Sequence, residues 1–463
     1  MKRLIVVSNR VTPGDSGNAS AGGMAVALLA ALKQRGGLWF GWNGETCQSR
    51  DMNPEIMKTG SLTFATIPLP EPDIKLYYNG YANRSLWPLF HYRTDLALFD
   101  HRFFEAYLRV NSLFTTKLAP LLDKDDMIWV HDYHLIPMGQ CLRDASMTQP
   151  IGFFLHTPFP AMEILLTLPN HESIVKGLCA YDLVGFQSAS DLRAFHDYIL
   201  HEAGGEILED GVVRAFGRVL IARVYAISID TEGIAKQSAR TARTKVLDRL
   251  TESLDERVLI IGVDRLDYSK GLAQRFRALE RLLKNYPENR NKVVLLQIAP
   301  PSRTDVPEYA DIRHELETLA GNINGHFAEF DWVPIRYLNK GYNLQQLAGF
   351  YRASRVGLVT PLRDGMNLVA KEFVAAQNPA DPGVLVLSRF AGAAQELSET
   401  LIVNPFDIDD LSDAMQRAIT MPLKERRERW GSMMKTLTKN DISAWRDTFL
   451  TDLERASAVL DGA

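Results

Sequence analysis

Short, almost unbroken apolar runs recur along this chain of 463 residues, at positions 4–7, 127–130, 151–155, 183–186 and 219–224. They restart at 258–263, 293–298, 356–360, 384–388 and 401–403. Runs this short, without polar alternation, suit strands of a parallel sheet covered on both faces. Segments of helical period lie between several of them, as at 23–33 and 191–203, which is the βαβ rhythm of an α/β fold. After 258–263, Leu272, Phe276, Leu279, Leu282 and Leu283 keep helical spacing until Tyr286-Pro287 ends the pattern.

Because the series restarts, and a domain takes roughly 100 to 200 residues, the chain is expected to form two α/β domains. The polar stretch 231–256, poor in aromatics, reads as a linker and entry helix. The boundary is placed near Asp230, giving a first domain over 1–230 and a second over 231–440. The charged helical tail, about 440–463, is expected to pack back on the first. Two Rossmann-like domains in tandem would face each other across a cleft at the C-terminal ends of their strands, so chemistry is sought just after strands.

Several function classes drop out. A net charge of −4 leaves no overall basic field for nucleic acid or an anionic membrane. No apolar run approaches the roughly 18 residues of a membrane helix. The opening apolar run passes at once into Asn9 and Arg10 and reads as a buried strand, not a leader. Cys47, Cys141 and Cys179 form no C-x-x-C pair, which points to a reducing cytoplasm.

The first strand ends in Ser8-Asn9-Arg10, and Gly22-Gly23 then opens a helix. Glycines there let backbone N–H groups approach a phosphate, although the pair is equally well a tight turn. Neither a dinucleotide fingerprint nor a P-loop is present. His131-Asp132-Tyr133-His134 follows the strand at 127–130, and His156-Thr157-Pro158-Phe159-Pro160 follows the one at 151–155. In the second half, Asp264-Arg265-Leu266-Asp267-Tyr268-Ser269-Lys270-Gly271 follows a strand and opens a helix. Its Arg and Lys can grip a diphosphate, or the loop is a solvated charged turn. Arg303 is a further cation at a strand end, open to a phosphate or to pairing with a nearby carboxylate such as Asp305. Arg363-Asp364-Gly365-Met366-Asn367-Leu368-Val369-Ala370-Lys371-Glu372 offers a tight turn, helix-opening amides and a carboxylate one turn in, suited to ribose hydroxyls. Asp123-Lys124-Asp125 and Asp407-Ile408-Asp409 match D-x-D, but both lie in hydrophilic loops and the first precedes a strand instead of following one. No metal site is expected.

Seven strings, some of them just described, stand in order along the chain: Ser-Asn-Arg with the later Ala-Gly-Gly-Met, Gly-Leu-Trp-Phe-Gly-Trp, Leu-Trp-Pro-Leu-Phe-His-Tyr, His-Asp-Tyr-His-Leu, Phe-Leu-His-Thr-Pro-Phe-Pro, Asp-Arg-Leu-Asp-Tyr-Ser-Lys-Gly and Arg-Asp-Gly-Met-Asn-Leu-Val-Ala-Lys-Glu. Together, from residue 4 to about 405, the chain resembles the trehalose-6-phosphate synthase family, glycosyltransferase family 20. The resemblance implies a GT-B fold and retaining transfer of glucose from UDP-glucose to glucose 6-phosphate, with no cofactor and no essential metal. By the same resemblance, Gly22, Gly23, Arg265, Lys270 and the amides around Met366, Asn367, Leu368 and Val369 would hold the donor diphosphate. Glu372 would hold the ribose, and Tyr342 would lie near the uridine. Asp364 and His156 would bond the donor glucose. Arg10, Tyr78 and Arg303 would bind the acceptor phosphate, and Trp87 and Asp132 would orient the acceptor sugar. The catalytic set implied is His156, Asp132, Arg265, Lys270 and Asp364, with Asp132 positioning and not attacking.

One departure stands at Tyr225-Ala226-Ile227-Ser228-Ile229-Asp230, where the family has Tyr-Pro-Ile-Gly-Ile-Asp. Glucosylglycerol-phosphate synthases and catalytically silent sugar-phosphate sensors share the scaffold and remain alternatives at this point. The sequence leaves the nucleotide base and any homo-oligomer open.

Overall fold

The computed structural model describes residues 2–11, 28–29, 31–32, 36–242, 244–303 and 306–460. The described residues group into two compact units, one of 2–226 with 445–460 and the other of 227–444.

The first unit is built on a sheet of ten strands among the described residues: β1 (Leu4–Arg10), β2 (Gly37–Cys47), β3 (Glu55–Thr59), β4 (Leu62–Pro70), β5 (Met127–His131), β6 (Ile151–Phe154), β7 (Leu183–Phe186), β8 (Glu206–Ile207), β9 (Val212–Ala215) and β10 (Arg218–Val224). Their order is β3-β4-β2-β1-β5-β6-β7-β10-β9-β8. From β4 to β10 the pairs are parallel, and the antiparallel β3, β9 and β8 finish the two edges. β5, β6 and β7 are buried at every residue, which is why they read as continuous apolar runs. β3, exposed at all five residues, gives no such signal.

The second unit carries six parallel strands among the described residues: β11 (Val258–Val263), β12 (Val293–Ile298), β13 (Ile335–Leu338), β14 (Val356–Val359), β15 (Val384–Ser388) and β16 (Leu401–Val403). The order β13-β12-β11-β14-β15-β16 is the doubly wound Rossmann arrangement. In each sheet the chain lays strands outward on one side of its first strand, then returns to the other side. The switch falls between β1 and β5 in the first unit and between β11 and β14 in the second. Ligands of open α/β sheets bind at such points, beyond the strand C-termini.

The division between the units falls at Ala226 and Ile227, a few residues before the boundary placed at Asp230. Backbone and side-chain bonds account for the difference. Lys371 Nζ donates to the Ile227 carbonyl at 2.8 Å and Ile442 N donates to the Ile229 carbonyl at 3.0 Å, fixing 227–229 to the second unit. Asp230 instead caps the helix Thr231–Thr241, accepting from Gly233 N. The stretch 231–256 is thus two helices, Thr231–Thr241 and Lys245–Leu254, within the second unit.

The last helix, Ile442–Leu460, belongs to the first unit from Trp445 onward. Phe449 stacks on Trp129 of β5 at 4.7 Å and meets Phe154 of β6 edge-on at 6.0 Å. A Cβ at Gly152 or Gly185 would come within 2.8 Å of the Phe449 ring, so glycine on β6 and β7 is what admits the helix.

Candidate active site

In the second unit the strand ends at the switch point carry the cations found in the sequence. Beyond β11, Asp267 turns the chain by accepting from Ser269 N and Oγ at 2.9 and 2.8 Å. This presents Lys270, whose side chain is largely buried, while Arg265 stays exposed. Gly271 follows at φ 66°, and a Cβ there would lie 2.1 Å from the Thr360 carbonyl at the end of β14, so the two loops press together. Lys270 Nζ sits 2.5 Å from Asp364 Oδ2, and Asn367 Nδ2 donates to the same oxygen at 3.0 Å.

Asn367 has φ 71° and ψ 86° and stands immediately before the helix Leu368–Ala376. A non-glycine residue held there costs about 1 to 3 kcal/mol, and such strain concentrates at functional sites. The turn leaves Leu368 and Val369 half-buried at the head of the helix, with Met366 beneath them. Amides in the first turn of a helix have no partner within it, and such an end favours an anion. Glu372, one turn on, accepts from Tyr351 Oη at 3.4 Å, and burial lifts its carboxyl to about 7. Tyr342 is half-buried, with Phe350 edge-on at 5.2 Å and Lys340 Nζ 5.2 Å above its ring.

Arg303 ends the segment after β12 at φ 48°. Its Nη1 donates to Asp267 Oδ2 at 2.9 Å and lies 2.6 Å from Tyr309 Oη, and Tyr309 Oη donates to the same carboxylate oxygen at 2.9 Å. Its carboxylate partner is therefore Asp267, while Asp305 lies outside the described residues.

Arg275, which the sequence reading passed over, holds this loop system from beneath. Fully buried, it donates from Nε to Thr360 Oγ1 at 2.8 Å, from Nη1 to Asp264 Oδ2 at 2.6 Å and from Nη2 to the Lys270 carbonyl at 3.1 Å. The signal was available: a charged residue stands inside the apolar stripe of Leu272, Phe276 and Leu279.

In the first unit, the switch point brings together the residues at the ends of β1, β5 and β6. A continuous run of rings links the acceptor candidates. The Arg10 guanidinium lies 5.6 Å over Trp42, Trp42 meets Tyr78 at 5.5 Å, and Tyr78 stacks on His134 at 5.9 Å. His134 touches Tyr133 at 3.9 Å, and Tyr133 touches Trp87 at 5.7 Å. Tyr78 rides on the π-helical stretch Ile74–Leu86, and Trp87 begins the next helix, Trp87–Phe90. Such wide turns gather at functional sites.

Asp132 is held at φ 74° and ψ 163°, a conformation otherwise left to glycine. Three bonds hold it there: Asp132 N donates to the Phe154 carbonyl at 2.9 Å, Leu135 N donates to the Asp132 carbonyl at 3.0 Å, and His156 N donates to Asp132 Oδ1 at 3.2 Å. His156 lies half-buried beyond β6, and desolvation lowers its imidazole to about 3, so the ring is neutral at physiological pH. Gly22 and Gly23 lie outside the described residues.

The D-x-D strings have other work. Asp407 caps the helix Ile408–Thr420 through Asp409 N and Asp410 N, and Asp409 pairs with Arg281 at 2.6 Å. Asp123 pairs with Arg3 at 3.1 Å. Among the described residues no group of three or more His, Cys, Asp or Glu is placed to hold a metal ion.

The chain matches the family profile of glycosyltransferase family 20 over residues 3–455. A trehalose-6-phosphate synthase of Sinorhizobium fredii is 49% identical over 460 residues, covering 99% of each chain. Among solved structures, an α,α-trehalose-phosphate synthase (UDP-forming) from Burkholderia vietnamiensis is similar at a TM-score of 0.97 and 51% identity, over 99% of this chain and 98% of that one. A second, from Burkholderia xenovorans in complex with glucose-6-phosphate, reaches 0.94 and 53% over 98% and 100%.

Proposed function

This chain belongs to glycosyltransferase family 20, and from that premise we propose how its residues carry out the transfer. The reaction moves glucose from UDP-glucose to glucose 6-phosphate, giving α,α-trehalose 6-phosphate and UDP with retention at the donor carbon. One observation carries the assignment of roles: Lys270 is locked on Asp364 at the switch point, beside the strained turn that opens the helix Leu368–Ala376.

Breaking the bond between sugar and phosphate leaves positive charge on the ring and negative charge on UDP. Lys270 and Arg265, with the amides of Leu368 and Val369, would stabilise the diphosphate as that charge develops. Gly22 and Gly23 would approach the same phosphates. Glu372 would accept from the ribose hydroxyls and Tyr342 would lie beside the uridine. Asp364 and the neutral His156 would bond the donor glucose. Arg10, Tyr78 and Arg303 would bind the acceptor phosphate, while Trp87 and Asp132 would orient its sugar. The leaving phosphate, on the face from which the acceptor attacks, takes the acceptor's proton, so Asp132 acts as a positioning group. With side-chain cations stabilising the leaving group, no metal or cofactor is needed in this reading.

The three free cysteines support a cytoplasmic location. No helix of the described residues is long and apolar enough to cross a membrane. The deciding experiment incubates the chain with UDP-glucose and glucose 6-phosphate in a metal chelator and identifies products by NMR. α,α-Trehalose 6-phosphate with stoichiometric UDP is expected. Transfer to glycerol 3-phosphate instead, or no release of UDP, would overturn the assignment.

A further inference from the structure

His131 ends β5 and has no place in the roles above, yet it is fully buried against a residue that does. Its Nδ1 lies 3.1 Å from Nε2 of His156, with the rings 5.3 Å apart. The His156 ring is also packed edge-on by Phe154 at 4.7 Å and faced by Trp445 at 6.4 Å, while its backbone N–H is fixed on Asp132.

We propose that His131 is a positioning residue that fixes His156 as its Nδ1–H tautomer, so that His156 meets the donor glucose as a hydrogen-bond donor. The inference rests on reading His156 as a contact to that sugar.

One hydrogen joins the two nitrogens, and it belongs to one ring or the other. If His156 Nε2–H donates, His131 must carry its own hydrogen on Nε2, since a neutral imidazole has only one. That atom is buried with no hydrogen-bond partner. Trp129, whose ring lies 4.5 Å from that of His131, and Trp445, packed on Trp129 at 5.1 Å, already bury Nε1–H groups with no acceptor. The cluster is therefore rich in donors and has no acceptor for another. If His131 Nδ1–H donates instead, only a lone pair is left at Nε2, the less costly of the two defects among so many N–H groups. His156 then receives at Nε2 and carries its hydrogen on Nδ1, the nitrogen left for a ligand. Both rings stay neutral under this arrangement, because burial and the neighbouring His156 hold His131 well below the usual histidine range.

The tautomer is read in the free full-length chain by 15N NMR of labelled histidine, with His156 assigned by the loss of its signals in His156→Gln. We expect hydrogen on Nδ1 of His156. In His131→Leu the hydrogen should move to Nε2, and kcat should fall roughly 3- to 10-fold while KM for glucose 6-phosphate is unchanged. His131→Asn, whose amide nitrogen reaches the place of Nδ1, should restore both readouts; His131→Gln, which reaches the place of Nε2, should not. Hydrogen on Nε2 of His156 in the unaltered chain would overturn the proposal, as would equal rescue by Gln and Asn. The tautomer needs no substrate, so a chain with the expected tautomer whose turnover ignores His156→Ala would instead remove the sugar-contact reading.

Discussion

Lys270 Nζ lies 2.5 Å from Asp364 Oδ2, joining the loop that leaves β11 to the loop that leaves β14. The pair is mostly buried on both sides. It places one ammonium and one carboxylate at the point where the doubly wound sheet changes direction, and Asn367 shares the same oxygen. Asp364 is thereby fixed with an oxygen still available to a sugar hydroxyl, and Lys270 is fixed as a point charge with two further N–H donors.

If Lys270 stabilises the leaving diphosphate, Lys270→Ala should lower kcat by about 10²-fold or more, with little change in KM for glucose 6-phosphate. Asp364 keeps its bond from Asn367, so the loop should hold. Near-normal turnover in this variant would place the charge stabilisation elsewhere.

Arg275 is the buried cation beneath that loop, and Asp264, its partner, is desolvated enough that its carboxyl is raised despite the pairing. Arg275→Met should leave an unpaired buried carboxylate and cost about 3 to 5 kcal/mol in chemical denaturation. Adding Asp264→Asn should recover part of this. A double variant as unstable as the single one would show that the loss comes from the bonds to Thr360 and the Lys270 carbonyl.

The place to look for a site was legible, because ligands of a doubly wound sheet bind beyond strand ends and the motifs after 258–263 and 356–360 do follow β11 and β14. The edges were not. β13 at one edge reads Ile-Arg-Tyr-Leu with three half-exposed residues, β3 at another is exposed throughout, and the interior β2 mixes Gly, Trp and Asn, so none forms an apolar run. Arg275 was missed, and His131 was singled out without a role, for a related reason: their partners His156 and Thr360 lie beyond β6 and β14, on other strands. Spacing along one element does not encode such partners. The strained conformations of Asp132, Arg303 and Asn367 are likewise invisible in residue type, since none is glycine.

Glu372 should make nucleotide binding depend on pH. Burial lifts its carboxyl to about 7, so it is mostly protonated at pH 6. Ribose hydroxyls donating to it favour the ionised form, so binding below about pH 7 must release a proton. UDP affinity should then fall by up to about 10-fold per pH unit on going down from 7. Because the folded-state value is raised, the group's contribution to stability is present below its ordinary value and lost as pH rises through about 7. Glu372→Gln should flatten both dependences. Calorimetry at pH 6 in buffers of different ionisation enthalpy checks the proton release, and zero release would contradict the ribose role.

Arg303 separates two readings of a cation at a strand end. Its Nη1 is committed to Asp267 and Tyr309, which on its own describes a structural tie between the segment after β12 and the loop before Lys270. A guanidinium has five N–H donors, however, and this one is held at φ 48°, where an ordinary residue is strained. A tie would not need that strain, whereas a fork fixed by Asp267 and aimed at a phosphate would gain from being preorganised. Charge-assisted bonds contribute about 1.5 to 3 kcal/mol each, so Arg303→Ala should weaken glucose 6-phosphate by roughly 10- to 150-fold. Arg303→Lys should restore only part, lacking the planar fork. UDP binding should change little if, as proposed, Arg265 and Lys270 serve the donor. Asp267→Asn keeps the shape but removes the charge that holds the fork, and should weaken glucose 6-phosphate less than Arg303→Ala does. If Arg303→Ala instead abolished UDP binding and left KM for glucose 6-phosphate unchanged, Arg303 would belong with the donor cations, its bond to Asp267 serving to brace Lys270.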